Sequence, residues 1–219
     1  MEKQWLFTIS RILAYLICRF YFRIEYVGAD RVPTDRPVIV APNHVSYLDP
    51  VWVSLPIKRP LRYMAWDQMM RLPLLGSLMR AYGAFPVSLE KGDRTALRLS
   101  LEQLRRGGGL VLFPEGARTR DGHLKSFKPG VIRLALDTNA PIVPVTIIGG
   151  YEAYAPRYWF PRPYKLKVIY HDPIELRPPS EHAEMKRYMQ EQSVRLQKIV
   201  ASALPVEAWP LQGQQVIGA

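Results

Sequence analysis

Hydrophobic and polar positions follow two different periods along the chain, and each period predicts a different kind of element. Strands are predicted where short β-branched or apolar runs occur, and also where polar and apolar residues alternate, at 24–27, 38–40, 110–113, 142–148 and 165–170. Helices are predicted where apolar residues recur three or four positions apart, at 93–106, 131–137 and 180–199. Strands that alternate with helices predict an α/β fold, with a central, mostly parallel or mixed sheet covered by helices.

The region 51–85 is apolar, rich in methionine and interrupted by prolines. Pro56, Pro60 and Pro73 break its pattern, so we expect several short helices there. Basic residues are interleaved with the apolar ones, and methionine packs as well around a flexible hydrocarbon chain as in an irregular core. Core and the wall of an acyl-chain groove are therefore the alternatives: we expect core for each residue taken singly, and a groove for the region as a whole.

Residues 1–23 form a predicted helix with one polar stripe, which comprises Gln4, Thr8, Arg11, Tyr15, Arg19 and Arg23. Arg11 and Arg19 leave an apolar run far shorter than the about 20 residues that a membrane-spanning helix needs. We expect an amphipathic helix that lies in the membrane interface, with Trp5 and the arginines at the level of the headgroups. Docking of this helix on the protein's own core is the alternative.

Composition bounds the number of domains and the kind of partner. A chain of 219 residues suits one domain. We expect that domain at 24–204, followed by a flexible tail at 205–219. The formal charge of +11 predicts an anionic partner, for which nucleic acid, anionic lipid and a polyphosphate cofactor all qualify. The single cysteine, Cys18, excludes a disulfide framework and is expected to be a small apolar residue within a helix.

Candidate chemistry follows the strand predicted at 38–40. Pro42 ends that strand, and His44 lies just past it. Asp49 and Pro50 are typical of a helix start, because aspartate caps free amides and proline suits the first helical position. A short loop would let the imidazole and the carboxylate meet, as a general base and its orienting acid do. Taken alone, the same residues more often form a helix cap and a structural histidine.

Two motifs carry a family resemblance. Asn43-His44-x-x-x-x-Asp49 and Phe113-Pro114-Glu115-Gly116-x-Arg118 occur in one chain, which in this combination resembles the PlsC-like glycerolipid acyltransferases, including 1-acyl-sn-glycerol-3-phosphate acyltransferases. Residues 83–87 and 140–145 resemble two further segments of that family. The resemblance extends from about residue 24 to residue 171.

This resemblance implies an O-acyltransferase of phospholipid biosynthesis, which moves a fatty acyl group from acyl-CoA or acyl carrier protein to the hydroxyl of a lysophospholipid. His44 would deprotonate that hydroxyl, Asp49 would orient the ring, and no metal or other cofactor would be needed. The implied partners are the lysolipid, the acyl donor and an anionic membrane surface, and no nucleic acid. The implied location is the cytoplasmic face of the cell membrane, with the protein bound at the interface.

The second motif implies the acceptor site. Glu115, Gly116 and Arg118 are expected to hold the acceptor, since a guanidinium fits phosphate at two points. Lys128, in a basic loop at 122–130, is a further candidate for phosphate contact. Family members usually carry a basic residue soon after segment 83–87, whereas here Ser88-Leu89-Glu90 follow, so Lys91 or Arg94 would have to replace it. This departure leaves a lyso-ornithine type of acceptor open beside a glycerol phosphate.

Two other classes of function fit parts of the sequence. A metal-dependent lipid hydrolase would use His44, Asp49 and Glu115 with His123 or His171, although no close His-x-x-x-His or paired-carboxylate spacing is present. A non-enzymatic binder of membranes or nucleic acid would explain the charge, but it gives no reason for the pairing of His44 with Asp49.

Overall fold

One sheet of seven strands lies at the centre of the part of the chain that the computed structural model describes, residues 2–87 and 94–210. The strands are β1 (Glu25–Val27), β2 (Val38–Pro42), β3 (Leu61–Trp66), β4 (Ala84–Val87), β5 (Gly109–Val111), β6 (Ile142–Ile148) and β7 (Lys167–Tyr170). Their order across the sheet is β1-β7-β6-β2-β5-β3-β4. β6 and β7 are antiparallel, and the other neighbouring pairs are parallel.

Eight α-helices accompany the sheet within the same described ranges. They are α1 (Glu2–Phe20), α2 (Asp49–Ser54), α3 (Asp67–Met70), α4 (Pro73–Ala81), α5 (Arg94–Arg105), α6 (Gly130–Thr138), α7 (Gly150–Tyr154) and α8 (Met185–Ala201). Short 3₁₀ turns occur at Ala29–Arg31, His182–Glu184 and Val206–Ala208.

Central strand β2 shows how the sheet separates two apolar layers. Val38 and Val40 pack into one layer with residues of α2 and the end of α1, whereas Ile39 and Ala41 pack into the other layer with residues of α5, α6 and α8. All four side chains are fully buried. A strand buried on both faces reads as a continuous apolar run, which is why its sequence shows no polar alternation. The predicted α/β fold with a mixed, mostly parallel sheet is confirmed.

The parallel pairing of β2 with β5 positions the candidate chemistry. Val38 pairs with Gly109, and Val40 pairs with Val111. The carboxyl ends of the two strands therefore lie side by side, and the residues that follow them emerge at the same edge of the sheet. In such sheets this edge is where functional loops gather.

The structure corrects the prediction of helices alone between residues 51 and 85. Leu61–Trp66 form β3, which pairs with β4 and β5 inside the sheet. Leu61, Tyr63 and Ala65 are buried, whereas the residues between them are more exposed. This alternation with a period of two residues is typical of a half-buried strand. The prolines that precede this segment suggested helix breaks and obscured its short alternation.

Helix α1 forms where the apolar pattern predicts a helix, but little of its described surface packs on the core. Cys18 is buried, as is Phe22 just beyond the helix, and the Phe22 ring lies 5.3 Å from that of Trp52. The apolar side chains that remain exposed are Ile9, Ile12, Leu13, Tyr15, Leu16, Ile17 and Phe20. Within the described ranges, none of the helices combines the length and the hydropathy that crossing a bilayer requires.

The segment after α8 is partly described. Val206–Ala208 form a 3₁₀ turn, and the carbonyl of Ala208 accepts a hydrogen bond of 3.0 Å from the amide of Leu124. Residues 205–210 of the expected flexible tail thus contact the loop that precedes α6. Residues 211–219 lie outside the described part of the chain.

Candidate active site

Asn43 fixes the chain at the point where β2 ends. Its side-chain amide donates to the carbonyl of Ile147 at 3.0 Å, and its side-chain carbonyl accepts from the amide of Ile147 at 2.7 Å. β6 continues past the end of β2, so the Asn43 side chain takes the place of the next strand residue in the ladder. The next residue, His44, therefore leaves the sheet from a fixed position. The motif contains Asn43, but sequence reasoning gave it no role.

His44 and Asp49 meet as their spacing predicts. Nδ1 of His44 lies 2.8 Å from Oδ2 of Asp49. The same oxygen accepts hydrogen bonds from the amides of Val45 at 2.7 Å and Ser46 at 2.8 Å. A carboxylate that accepts from the ring fixes the proton on Nδ1 and leaves Nε2 free to accept a proton.

Asp49 does not cap the helix that it begins, which corrects one reason given for its position. Helix α2 starts at Asp49 and has proline in its first turn, but no side-chain hydrogen bond caps it. The carboxylate turns back to the loop because the amides of Val45 and Ser46 point toward it. In the fold, the Asp49 carboxylate thus closes the loop that carries His44.

Asp49 is fully buried, and its Oδ1 has no hydrogen-bond partner among the described residues. Burial raises the pKa of Asp49 above its usual range, while the hydrogen bonds from His44, Ser46 and Val45 oppose this rise. Three donors converge on one oxygen, and donors of this kind stabilise the ionised form. The pair is built so that a positive charge on the imidazole would meet a nearby, desolvated carboxylate.

Phe113 and Glu115, which follow β5, hold His44 from the other side. The rings of Phe113 and His44 are stacked, with centroids 3.9 Å apart and an angle of 20° between the planes. Oε1 of Glu115 accepts a hydrogen bond of 2.6 Å from the backbone amide of His44. β5 ends at Val111, two residues earlier than the predicted strand, so Phe113 belongs to the loop and can turn toward the imidazole. Nothing in the local sequence indicates this stacking.

Glu115 is directed into the protein. Its Oε2 accepts a hydrogen bond of 2.9 Å from the amide of Lys125, so both carboxyl oxygens contact backbone amides. Burial raises the pKa of Glu115 to about 8 against the opposing effect of these amides. The carboxyl joins the loop after β2 to the loop after β5. The structure therefore gives Glu115 the contacts of a residue that positions His44.

Arg118 lies at the surface of the same edge. Its guanidinium carbon stands 3.8 Å from the centroid of the Tyr47 ring, a cation–π contact, and the Tyr47 ring lies 5.7 Å from that of Tyr154. Among the described residues the guanidinium has no hydrogen-bond acceptor, so its donors are available to a ligand. Tyr47, within the His44–Asp49 loop, is a site residue that sequence reasoning missed.

Gly116 and Lys128 lie together beside this loop. Gly116 has a φ of +75°, and a Cβ at this position would lie 2.7 Å from Nζ of Lys128. Lys128 is tied to the same turn by the hydrogen bond of its amide to the carbonyl of Pro114, 2.9 Å long. The Lys125 ammonium donates to the carbonyl of Arg118 at 2.8 Å. Lys125 and Lys128 of the basic loop thus lie next to the second motif and contact it.

The other predicted acceptor residues are not placed at this edge by the described structure. Lys91 lies outside the described residues, and so does the side chain of Arg94, whose backbone begins α5.

The candidate metal ligands are separated. His123 Nδ1 lies 3.2 Å from the carbonyl oxygen of Trp209, and His171 Nε2 lies 2.9 Å from the hydroxyl of Thr146. In the part of the chain that the structure describes, no three His, Cys, Asp or Glu side chains come together as a metal-binding group. These residues therefore do not form the metal-binding group that the hydrolase alternative requires.

An imidazole with one nitrogen fixed by a buried carboxylate, at the carboxyl edge of an α/β sheet, has the geometry that a general base for a hydroxyl group requires. The family of the chain is shown separately, by a family model. The model described as Acyltransferase matches residues 23–148, more than half of the chain, and this protein belongs to the Acyltransferase family. The resemblance drawn from the two motifs is confirmed.

Relatives with assigned names agree with the family. The chain is 28% identical over 144 residues to a chloroplastic 1-acyl-sn-glycerol-3-phosphate acyltransferase of Arabidopsis thaliana, an alignment that covers 64% of this chain and 40% of the relative. It is 29% identical over 128 residues to a Borreliella burgdorferi protein of the same name, with 57% and 51% covered. The chain thus spans about half of these relatives' length or less.

A solved structure supports the fold. The crystal structure of the 1-acyl-sn-glycerophosphate acyltransferase PlsC of Thermotoga maritima matches with a TM-score of 0.70 and 24% identity. The match covers 91% of this chain and 81% of that chain. The α/β architecture described above is therefore shared with that protein.

Proposed function

We propose that this protein transfers a fatty acyl group from a thioester, acyl-CoA or acyl carrier protein, to the free hydroxyl of 1-acyl-sn-glycerol-3-phosphate. The hydrogen bond of 2.8 Å between His44 and the buried Asp49, in a member of the Acyltransferase family, is the observation that carries the proposal. The relatives named 1-acyl-sn-glycerol-3-phosphate acyltransferase support the choice of acceptor.

In the proposed reaction, Nε2 of His44 takes the proton of the acceptor hydroxyl as the oxygen attacks the thioester carbonyl. The new C–O bond forms an ester, the C–S bond breaks, and the leaving thiolate receives the proton from the imidazolium. Asp49 stabilises the imidazolium while it exists and keeps the ring in place. Phe113 and the Glu115 contact to the backbone of His44 restrict the same ring, which favours a fixed geometry for attack. Direct transfer of this kind involves no cofactor.

Arg118 and Lys128 are proposed to bind the phosphate of the acceptor. The Arg118 side chain is supported on the Tyr47 ring and has free donors, and a planar guanidinium fits phosphate at two points. Lys128 adds a second positive charge next to Gly116. Glu115 is proposed to act without contacting the acceptor, by holding the loops that carry His44 and Arg118.

The protein is proposed to work bound to the interface of an anionic membrane, at the cytoplasmic face. The exposed apolar side chains of α1, among them Leu13, Leu16 and Phe20, would enter the headgroup boundary. The formal charge of +11 adds attraction to anionic lipids, which removes the need for a nucleic-acid partner to explain the charge.

The test is to incubate the purified protein with labelled acyl-CoA, or labelled acyl carrier protein, and a panel of lysolipids, and to identify the product by mass. The panel contains 1-acyl-sn-glycerol-3-phosphate and a lyso-ornithine lipid, because segment 88–90 lacks the usual basic residue. A new diacyl product from the glycerol phosphate alone supports the proposal. A product from the ornithine lipid alone would show that this lipid, and not the glycerol phosphate, is the acceptor. Release of free fatty acid that is inhibited by a chelator would indicate the metal-dependent hydrolase instead.

A further inference from the structure

Two aromatic side chains project into solvent from the segment between α7 and β7. Trp159 is 91% exposed and Phe160 is 77% exposed, the largest values among the described large hydrophobic residues. They are consecutive in sequence and lie within residues 155–164, which we call the aromatic turn. An adjacent pair of large rings in water is unusual for a surface without a partner.

Hydrogen bonds hold the aromatic turn in place on both sides of the exposed pair. The amide of Tyr158 donates to the carbonyl of Ala155 at 2.9 Å, and the amide of Arg162 donates to the carbonyl of Ala153 at 2.7 Å. The hydroxyl of Tyr21 donates to the carbonyl of Pro161 at 2.8 Å. The exposure of the two rings is therefore a property of an ordered turn.

Positive charge surrounds the pair. The Arg162 guanidinium lies 3.7 Å from the centroid of the Tyr158 ring, and that of Arg157 lies 5.0 Å from it. Neither guanidinium is within ion-pair distance of a carboxylate in the described part of the chain, although the charge of Glu152, which precedes the aromatic turn, acts on Arg157. Residues 155–164 themselves contain no aspartate or glutamate. Aromatic rings next to unpaired arginines are typical of residues at the boundary between headgroups and acyl chains.

The aromatic turn is continuous with two regions already described. The contact of Tyr21 with Pro161 places it beside the end of α1, where Phe20 is 75% exposed. On its other side, Tyr154 precedes the turn and packs near Tyr47, the ring that supports Arg118. One surface thus connects the end of α1, the aromatic turn and the candidate phosphate-binding residue.

We propose that the aromatic turn is a second membrane-docking element, which inserts Trp159 and Phe160 into the interface of an anionic phospholipid bilayer. Arg157 and Arg162 contact the headgroups, and the Arg118 edge of the site then faces the layer from which a lysolipid enters. An anionic bilayer matches the aromatic turn in both charge and aromatic content, since the turn has two arginines and no acidic residue of its own. The inference rests on the proposed action at a membrane and names the surface that the membrane contacts.

The test measures binding of the full-length protein to vesicles without any substrate. Trp159→Ser combined with Phe160→Ser is expected to lower the partition coefficient roughly tenfold on vesicles that contain phosphatidylglycerol. Arg157→Gln and Arg162→Gln are each expected to lower it about fivefold on these vesicles and to have little effect on pure phosphatidylcholine. Matched controls on the opposite face of the sheet, Leu97→Ser on α5 and Arg187→Gln on α8, should bind as the wild type does.

A second readout separates this inference from the acyltransferase proposal. The aromatic double variant should lose turnover with an acceptor embedded in vesicles and keep wild-type turnover with a short-chain, water-soluble acceptor. Wild-type vesicle binding by both the aromatic and the arginine variants would overturn the inference, whether or not the protein transfers acyl groups. Dissociation of an oligomer by the aromatic variant, with vesicle binding unchanged, would assign the surface to a second copy and would also overturn it.

Discussion

Replacement of Glu115 by glutamine tests how the site holds His44. The carboxyl accepts hydrogen bonds from two backbone amides, those of His44 and Lys125, and it is almost completely buried. Glutamine offers one carbonyl oxygen and one amide group, so one of the two backbone amides would face a donor. A buried donor without a partner costs about 1–3 kcal/mol. For a chain of this length, each kcal/mol lowers the melting temperature by roughly 2–4 °C.

The kinetic effect of Glu115→Gln distinguishes a positioning role from contact with the acceptor. If Glu115 holds the His44 loop, kcat should fall roughly ten- to a hundredfold, because small misplacement of a base is costly, while the KM for the lysolipid changes little. Steady-state kinetics with the lysolipid and the acyl donor varied separately give both constants. A raised KM for the lysolipid with kcat unchanged would refute this reasoning and return Glu115 to the acceptor-binding role that the family resemblance implies.

The same variant should change the pH dependence of stability. Burial raises the pKa of Glu115 to about 8 in the folded protein from 4.5, so between these values the folded state binds a proton that the unfolded state has released. The stabilisation from this proton is complete below pH 4.5 and is lost as the pH rises through 8, with a slope of at most about 1.4 kcal/mol per pH unit. The advantage of the wild type over Glu115→Gln should therefore shrink as the pH rises across this window.

Urea denaturation at several pH values between about 5 and 8.5 measures this advantage directly. Glu102→Gln is the matched control, because Glu102 is a helix-surface carboxylate paired with Arg106. Its free energy of unfolding should stay within about 0.5 kcal/mol of the wild type at every pH. An advantage over Glu115→Gln that stays constant across this range would contradict the prediction, because it would show that the carboxyl is ionised in the folded state as it is in the unfolded state.

Three further changes test other parts of the account. Asp49→Asn should lower kcat by roughly a hundredfold or more through misorientation of the ring, and wild-type kcat in a folded variant would contradict this. Arg118→Ala should raise the KM for a phosphate-bearing lysolipid far more than that for the acyl donor, with Arg118→Lys recovering it in part, whereas equal losses would mean that Arg118 supports the loop. Deletion of residues 2–13, which keeps the buried Cys18 and Phe22, should weaken sedimentation with anionic vesicles. Unchanged sedimentation by a folded deletion variant would show that this part of α1 does not bind the membrane.

The features of the fold that local chemistry determines could be predicted from the sequence. The continuous apolar run of β2, the proline at its end and the Asp49-Pro50 pair gave the strand end and the helix start within a residue or two. β3 was missed because its alternation is short and lies in a region that prolines divide. Its place between β4 and β5 depends on partners that lie far away in sequence.

The contacts within the site were less accessible to sequence reasoning. The meeting of His44 with Asp49 follows from a loop of four residues, which spacing alone can suggest. The stacking of Phe113 on His44 and the support of Arg118 by Tyr47 require β2 and β5 to be neighbours. Local sequence patterns do not determine the order of strands in a sheet. The inward direction of Glu115 likewise depends on where the amides of two separate loops point.

The central claim is that Nε2 of His44 is the base that activates the acceptor hydroxyl. Its most direct test is the rate of acyl transfer by His44→Ala, measured with labelled acyl-CoA and 1-acyl-sn-glycerol-3-phosphate, on a protein whose circular dichroism and melting temperature show that it is folded. Loss of a general base is expected to lower kcat by about 10²–10⁴-fold. Turnover close to that of the wild type, by His44→Ala protein that is folded, would contradict the account.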